Sequence, residues 1–144
     1  MATSFSDIYD LFLAQIDDYE LGELNPDEID IVLEKFLING LINIQTTISS
    51  IEDIDTEVKQ FNQDIPLMER ILIAKSMKLE WVREKKYSEE LMRKSIGDRD
   101  YKAVQGTDYL KSLTAVESKL EQELKKSIVD RSYRSEDYYG DMLT

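Results

Sequence analysis

The sequence contains neither cysteine nor histidine among its 144 residues. Without cysteine there is no disulfide framework. Without either residue type, the chain also lacks the usual thiol nucleophile, the usual general base and the usual zinc ligands. Catalysis would have to depend on Asp, Glu, Lys, Tyr or Ser, so the composition argues against an enzyme.

Long apolar runs are missing as well. No run approaches the roughly 18–20 residues that a membrane-spanning helix needs. The start, MATSFSDIYD, has neither the basic region nor the apolar stretch of a signal peptide. Hydrophobic residues make up 42% of the chain and charged residues 33%, the balance of a globular protein. We therefore expect one domain, without a cofactor, that stays in a reducing cytoplasm or assembles there into something larger.

Basic residues are scarce in the first half of the chain. Residues 1–64 carry 15 acidic and 2 basic residues, whereas residues 65–131 carry 12 acidic and 15 basic ones, and the whole chain has a net charge of −12. An acidic chain should not grip nucleic-acid phosphates, because such binding depends on cations that displace counterions. The asymmetry indicates either a solvated acidic surface or complementary contact, within the fold or between copies.

Apolar residues recur every three or four positions along most of the chain, which predicts an all-α fold. We expect a helical bundle of about four to five helices over residues 1–131, with a long C-terminal helix and then an extended C-terminal arm over residues 132–144. The predicted helices run from Ser6 to Gly22, from Asn25 to about residue 48, from Asp64 to Lys86, from Ser88 to Gly97, and from about residue 107 to 131. Apolar residues occur on nearly all sides of the third predicted helix, which should therefore be central.

Four features leave alternatives open at this stage. Residues 49–64 fit a helix, a strand or an ordered loop. Asn39-Gly40 inside the second helix marks either a kink or a close packing contact. Trp81 is either core or an interface anchor. The basic residues of 70–102 are interleaved with acids, which favours internal ion pairs over a nucleic-acid-binding strip.

The arm SYRSEDYYGDMLT has no helical or strand period, yet it holds five large apolar or aromatic side chains. These residues are Tyr133, Tyr138, Tyr139, Met142 and Leu143. Tyrosine and methionine are enriched at protein interfaces, so we predict contacts with another subunit or a partner. An arm folded back on its own bundle and a disordered end are the alternatives.

A calcium loop is the nearest thing to a metal motif. In DDYELGELNPDE, counting Asp17 as position 1 places Gly22 at position 6 and Glu28 at position 12 of an EF-hand loop. Positions 3 and 5 are Tyr19 and Leu21, which do not supply the required side-chain ligands. The sequence therefore predicts no metal site.

Four stretches, FSDIYDLFLAQIDDYEL, LEKFLINGLINI, IPLMERILIAKSMKLEWV and SYRSEDYYGDM, together resemble small virion proteins of tailed bacteriophages. The chain is most similar to helical head–tail connector, or neck/adaptor, proteins. This resemblance implies a homo-oligomeric ring, commonly dodecameric, that binds the portal and tail proteins in the virion neck and surrounds the DNA channel. It implies no catalytic residues, no cofactor and no membrane contact.

The acidic N-terminal residues then become candidates for the channel lining or for a partner's basic surface. They are Asp7, Asp10, Asp17, Asp18, Glu20, Glu23, Asp27, Glu28 and Asp30. Carboxylates lining a channel would repel DNA phosphates and let DNA slide. The alternative function is a phosphate-mimic inhibitor or adaptor that binds a basic nucleic-acid-binding protein. An enzyme with a carboxylate-bound magnesium ion is a third possibility.

Overall fold

The fold is mostly α-helical, as the sequence predicts. The computed structural model describes residues 2–16, 24–44, 53–103 and 106–143, and only the backbone at 103 and 131–143. Within these residues the elements are β1 (Thr3–Ser4), α1 (Phe5–Leu13), α2 (Pro26–Ile44), β2 (Ile54–Asp55), β3 (Gln60–Phe61), α3 (Leu67–Ile96), α4 (Asp98–Ala103) and α5 (Gly106–Leu143). The chain is a helical bundle with a small three-stranded sheet.

Helix α3 is the central element, as its apolar pattern predicts. Helices α1, α2 and α5 all pack against it. In its first half the residues Leu72, Ile73, Ala74, Met77 and Leu79 are buried. Helix burial of this kind, rather than intrinsic propensity, supplies most of the stability of such elements. Trp81 is half-buried and packs against the same core, with the Lys85 ammonium 5.9 Å from its ring centroid.

Helix α3 does not break where the sequence analysis placed a boundary. It runs for 30 residues, so Ser88 is an exposed residue inside it rather than a helix cap. No glycine or proline interrupts the stretch before Gly97, which ends the helix as predicted, with a φ of 89°. Asp64 is not the N-terminal cap either, because the helix starts after Pro66 and the Asp64 carboxylate lies 3.2 Å from Arg70.

Gly40 marks a close contact between α2 and α3, and α2 continues through it to Ile44. A Cβ at this position would lie 3.1 Å from the backbone nitrogen of Met77. The Ser76 hydroxyl donates a 2.8 Å hydrogen bond to the Gly40 carbonyl, and the Asn43 amide donates to that hydroxyl and to Glu80. The glycine thus lets two helix backbones approach.

Residues 54–61 form a hairpin, which resolves part of the uncertain stretch. Strand β3 lies between β1 and β2, and both pairings are antiparallel. The Asp55 carboxylate accepts from the backbone of Glu57 and Val58 in the turn. Phe61 packs edge-on against Phe5 of α1, which anchors the sheet to the bundle. Strands of two residues are too short to leave a period in the sequence.

The N-terminal cap and the length of α1 differ from the prediction, whereas the cap of α2 is the predicted residue. Ser4 rather than Ser6 caps α1, through its hydroxyl and the Ser6 amide. Helix α1 ends at Leu13, before the predicted end, and residues 17–23 lie outside the described part. Asn25 caps α2 as predicted, accepting from the Glu28 amide at 2.9 Å, and Pro26 is its first residue.

Helix α5 corrects the prediction of an extended arm. Its backbone is helical to Leu143, so residues 132–143 continue the helix. The segment has no proline, and extending an existing helix avoids the cost of nucleating a new one. Positions 138, 139, 142 and 143 are also spaced as a helix would place them, a pattern that Tyr133 alone obscures.

Candidate interaction surfaces

Helices α3 and α5 form a long hairpin held together by ion pairs. The Arg83 guanidinium lies 3.1 Å from Glu121, the Lys86 ammonium 3.2 Å from Glu117, and the Lys75 ammonium 3.7 Å from Glu123. The paired residue numbers fall on one helix as they rise on the other, so the helices are antiparallel. The prediction that basic residues of 70–102 form internal ion pairs is confirmed for Lys75, Arg83 and Lys86, each of which has a partner on α5.

The turn of this hairpin is packed around Tyr101. Its side chain is fully buried, and its hydroxyl donates a 2.8 Å hydrogen bond to Glu89 of α3. Burial, with help from Glu89, raises the pKa of Tyr101 to about 12. A Cβ at Gly106 would lie only 2.5 Å from the Tyr101 ring, so only glycine fits at the start of α5. Arg93 closes the outside of the turn with a 2.8 Å contact to Asp98.

Beyond its last buried residue, Val82, helix α3 leaves the core. We call the described residues 83–103 and 106–111, from this point through α4 to the start of α5, the hairpin tip. Every residue from 90 to 100 is exposed. Among the described residues, α4 packs chiefly against α3 and α5. The tip therefore presents its outer surface to solvent or to a partner.

Large apolar side chains lie on that outer surface. Tyr87 is 62% exposed, Leu91 48%, Met92 50% and Ile96 40%. They form two pairs at i, i+4 spacing, Tyr87 with Leu91 and Met92 with Ile96, so the end of α3 is apolar on more than one side. Clustered exposed apolar residues are typical of interaction sites.

The hairpin tip also carries cations that have no carboxylate partner among the described residues. Lys94, Arg99 and Lys102 are exposed, and no carboxylate of the described residues lies within 4.0 Å of their charged groups. The hairpin tip holds eight basic and six acidic residues, a net charge of +2. The N-terminal 34 residues hold ten acidic residues and no basic one. The two regions therefore differ sharply in charge.

The predicted acidic residues are exposed wherever the structure describes them. These are Asp7 and Asp10 on α1 and Asp27, Glu28 and Asp30 on α2, which we call the acidic surface. No cation of the described residues lies within ion-pair distance of these five carboxylates. Asp17, Asp18, Glu20 and Glu23 lie outside the described residues.

Helix α2 gives this surface an ordered edge. Asp27, Asp30, Ile31 and Glu34 recur at helical spacing, and Ile31 is 70% exposed. Glu34 pairs with Lys59 from the hairpin turn. The buried Tyr9 phenol lies beside this edge: burial raises its pKa, and the carboxylates of Glu34 and Asp30 raise it further. The second effect, from the two carboxylates, indicates a negative potential here.

The structure describes the predicted interface residues of the arm by their backbone alone. Tyr133, Tyr138, Tyr139, Met142 and Leu143 lie on the helical backbone of α5, and their side chains are outside the described part of the chain. Their role in contacts stays a prediction.

Two further site classes have no counterpart in the part of the chain that is described. No group of three or more acidic residues there is arranged to hold a metal ion. None of the helices described is both long and apolar enough to cross a membrane.

The hairpin tip is the feature that sequence reasoning missed. The residues Tyr87, Leu91, Met92 and Ile96 belong to a stretch that was interpreted as a short separate helix. Their i, i+4 spacing was visible, but a single helix does not reveal which of its faces the rest of the chain covers. Exposure here follows from α1 and α2 packing against the other half of α3.

Comparison of the chain with protein-family models, with curated proteins and with solved structures finds no match. The surfaces above and the resemblance in the sequence are therefore the basis for a functional proposal.

Proposed function

We propose that the chain is a structural subunit that assembles through its exposed helical surfaces, and that it serves as a head–tail connector of a tailed bacteriophage. The observation that carries the proposal is the hairpin tip, where Leu91, Met92 and Ile96 remain exposed beyond the core. An ion-paired hairpin that presents apolar residues at its end suits a building block better than a catalyst. The resemblance noted in the sequence supplies the class.

The acidic surface supports the DNA-channel part of this proposal. Its five described carboxylates are exposed and have no nearby described cation. Carboxylates of this kind repel phosphates at short range, and salt limits the effect to about 8–10 Å. A ring lined by them would let DNA pass without specific binding.

The site chemistry supports a non-enzymatic role. The chain has no cysteine or histidine, and the strongest pKa shifts among the described residues belong to buried tyrosines that pack the fold. The Tyr101 hydroxyl donates a hydrogen bond to Glu89 inside the turn. Its perturbed pKa is a consequence of packing rather than a sign of catalysis.

The test is assembly with the portal protein encoded in the same genome. We expect co-expressed, co-purified complexes to show a ring of this chain on the portal by electron microscopy, and mass spectrometry to detect the chain in purified virions. A chain that is absent from both the portal complex and the virion would contradict the proposal.

The phosphate-mimic alternative has an observation in its favour, the exposed edge of Asp27, Asp30 and Ile31 on α2. Such a mimic would bind a basic nucleic-acid-binding protein as a monomer or dimer, with an affinity that falls steeply with salt. Displacement of DNA from such a protein by the purified chain, together with absence from virions, would favour this function over the connector.

A further inference from the structure

We infer that the hairpin tip docks on the acidic surface of a second copy of this chain. The inference rests on the proposed structural role and names the two surfaces that would join neighbouring subunits. The tip offers apolar residues that no described part of its own chain covers, and it is flanked by cations without described partners.

Charge complementarity identifies the occupant. Lys94 lies on the exposed end of α3 and Arg99 and Lys102 lie on α4, whereas the first 34 residues of the chain contain no basic residue. Opposite potentials steer association and fix the register of a contact. A nucleic acid is a poor occupant, because the tip as a whole carries a net charge of only +2.

The acidic surface also offers apolar residues to match. Ile31 lies within the acidic edge of α2, and Leu13 is exposed at the end of α1. A contact between these residues and Leu91, Met92 or Ile96 would have an apolar centre with a charged rim, the usual anatomy of a protein interface.

The two surfaces are different patches, so the contact is heterologous. Each joined pair leaves one tip and one acidic surface free, and repetition gives a closed ring or an open filament. A two-fold dimer would need the tip and the acidic surface of each copy to engage those of the other at the same time. The geometry therefore links a local charge pattern to a ring-forming subunit.

The experiment is a charge exchange followed by sedimentation velocity. The tip variant carries Lys94→Glu, Arg99→Glu and Lys102→Glu, and the surface variant carries Asp10→Lys, Asp27→Lys and Asp30→Lys. We expect the unmodified chain to form oligomers that dissociate at high salt. Each variant alone should self-associate at least about tenfold more weakly, and an equimolar mixture should assemble again, because tips and acidic surfaces of opposite charge then alternate.

A matched control reverses three other exposed lysines, Lys119, Lys125 and Lys126 of α5, and should assemble like the unmodified chain. Circular dichroism verifies folding. Since lysine at Asp27 opposes the dipole of α2, Ile31→Ser serves as a second surface variant that leaves the charge unchanged, and it should also weaken assembly.

The inference is overturned if the unmodified chain stays monomeric up to millimolar concentration at low salt, if the tip variant assembles normally, or if the mixture does not assemble. A failed exchange alongside a portal-bound ring would remove this interface and leave the connector function standing. A successful charge exchange by a chain that is absent from virions would support this interface and contradict the connector function.

Discussion

At the scale of single residues, the turn between α3 and α5 depends on one buried ring and one missing side chain. Tyr101 fills the turn, and Gly106 leaves the space that the ring occupies. The short helix α4, only six residues long, lies in this turn. Changes at this turn should therefore be felt both in stability and in assembly.

Replacing Gly106 with alanine should destabilise the fold. The new Cβ would lie 2.5 Å from a fully buried aromatic ring, so the ring would have to shift. Overpacking of this kind costs about 1–3 kcal/mol, and thermal unfolding followed by circular dichroism measures it. Ser112→Ala, at an exposed position of the same helix, is the control and should change stability by less than about 0.5 kcal/mol. Equal stability of the two variants would mean that the turn is not packed as described.

Tyr101 should also make stability depend on alkaline pH. Its pKa is about 12 when folded and 10.0 when unfolded, so the unfolded chain loses this proton first as the pH rises. The stabilisation is complete below the unfolded pKa and is lost as the pH rises through the folded value. Tyr101→Phe should be less stable near neutral pH, because Glu89 loses its donor, and its stability should fall less steeply between about pH 10 and pH 12.

Denaturant unfolding of both proteins across this pH range measures the difference. Lysine deprotonation and the buried Tyr9 affect both proteins alike. The difference between their two curves of stability against pH therefore reports on Tyr101. Parallel curves would contradict the assignment of the alkaline loss to this residue.

At the scale of elements, the continuity of α3 past residue 86 decides how far the tip lies from the core. As a single helix of 30 residues, α3 is about 45 Å long at 1.5 Å per residue. Two shorter helices joined near Ser88 would give the tip a hinge. One continuous helix has no such hinge between the bundle and the apolar pairs.

Ser88→Ala distinguishes these two arrangements by the sign of its effect. Inside a helix, alanine is favoured over serine, so stability should rise by about 0.3–0.5 kcal/mol. At a helix N-cap the same change would cost about 1 kcal/mol. Ser4→Ala, at the cap of α1, is the matched comparison and should lower stability. A loss of stability in Ser88→Ala would contradict a continuous α3.

The sequence predicted well those elements that are governed by burial or by a strong local signal. The central position of α3 follows from apolar residues on nearly all sides of its first half. Asn25 with Pro26 and Gly97 carry backbone preferences that hold in most contexts. Where a helix is amphipathic and capped, local sequence and tertiary packing agree.

Two of the failures, the strands and Gly40, have one physical cause, because the deciding contact is distant in sequence. The strands are defined by pairing between Thr3 and Phe61, not by their own composition. The helical continuation through residues 87 to 96 meets no glycine or proline, and the continuation through 132 to 143 proceeds through Gly140, so the local signal is weak in both stretches. Gly40 can be assigned to a close packing contact only when the position of Ser76 beside it is known.

At the scale of the whole molecule, charge and apolar surface are segregated in a way that a solitary protein does not require. The first 34 residues hold ten of the chain's 30 acidic residues without a single base, and the hairpin tip extends beyond the core with exposed apolar residues. A subunit that offers two complementary, non-overlapping surfaces is suited to repeated assembly. This arrangement links the fold to the proposed connector role.

Sedimentation velocity of a tip variant tests that central claim most directly. The tip variant carries Leu91→Ser, Met92→Ser and Ile96→Ser, which remove the exposed apolar residues and leave the charge unchanged. We expect this variant to be a monomer at concentrations where the unmodified chain is oligomeric. The matched control, Leu67→Ser, Met68→Ser, Val129→Ser, removes three other exposed apolar residues and should still assemble. A tip variant that assembles as well as this control would contradict the account.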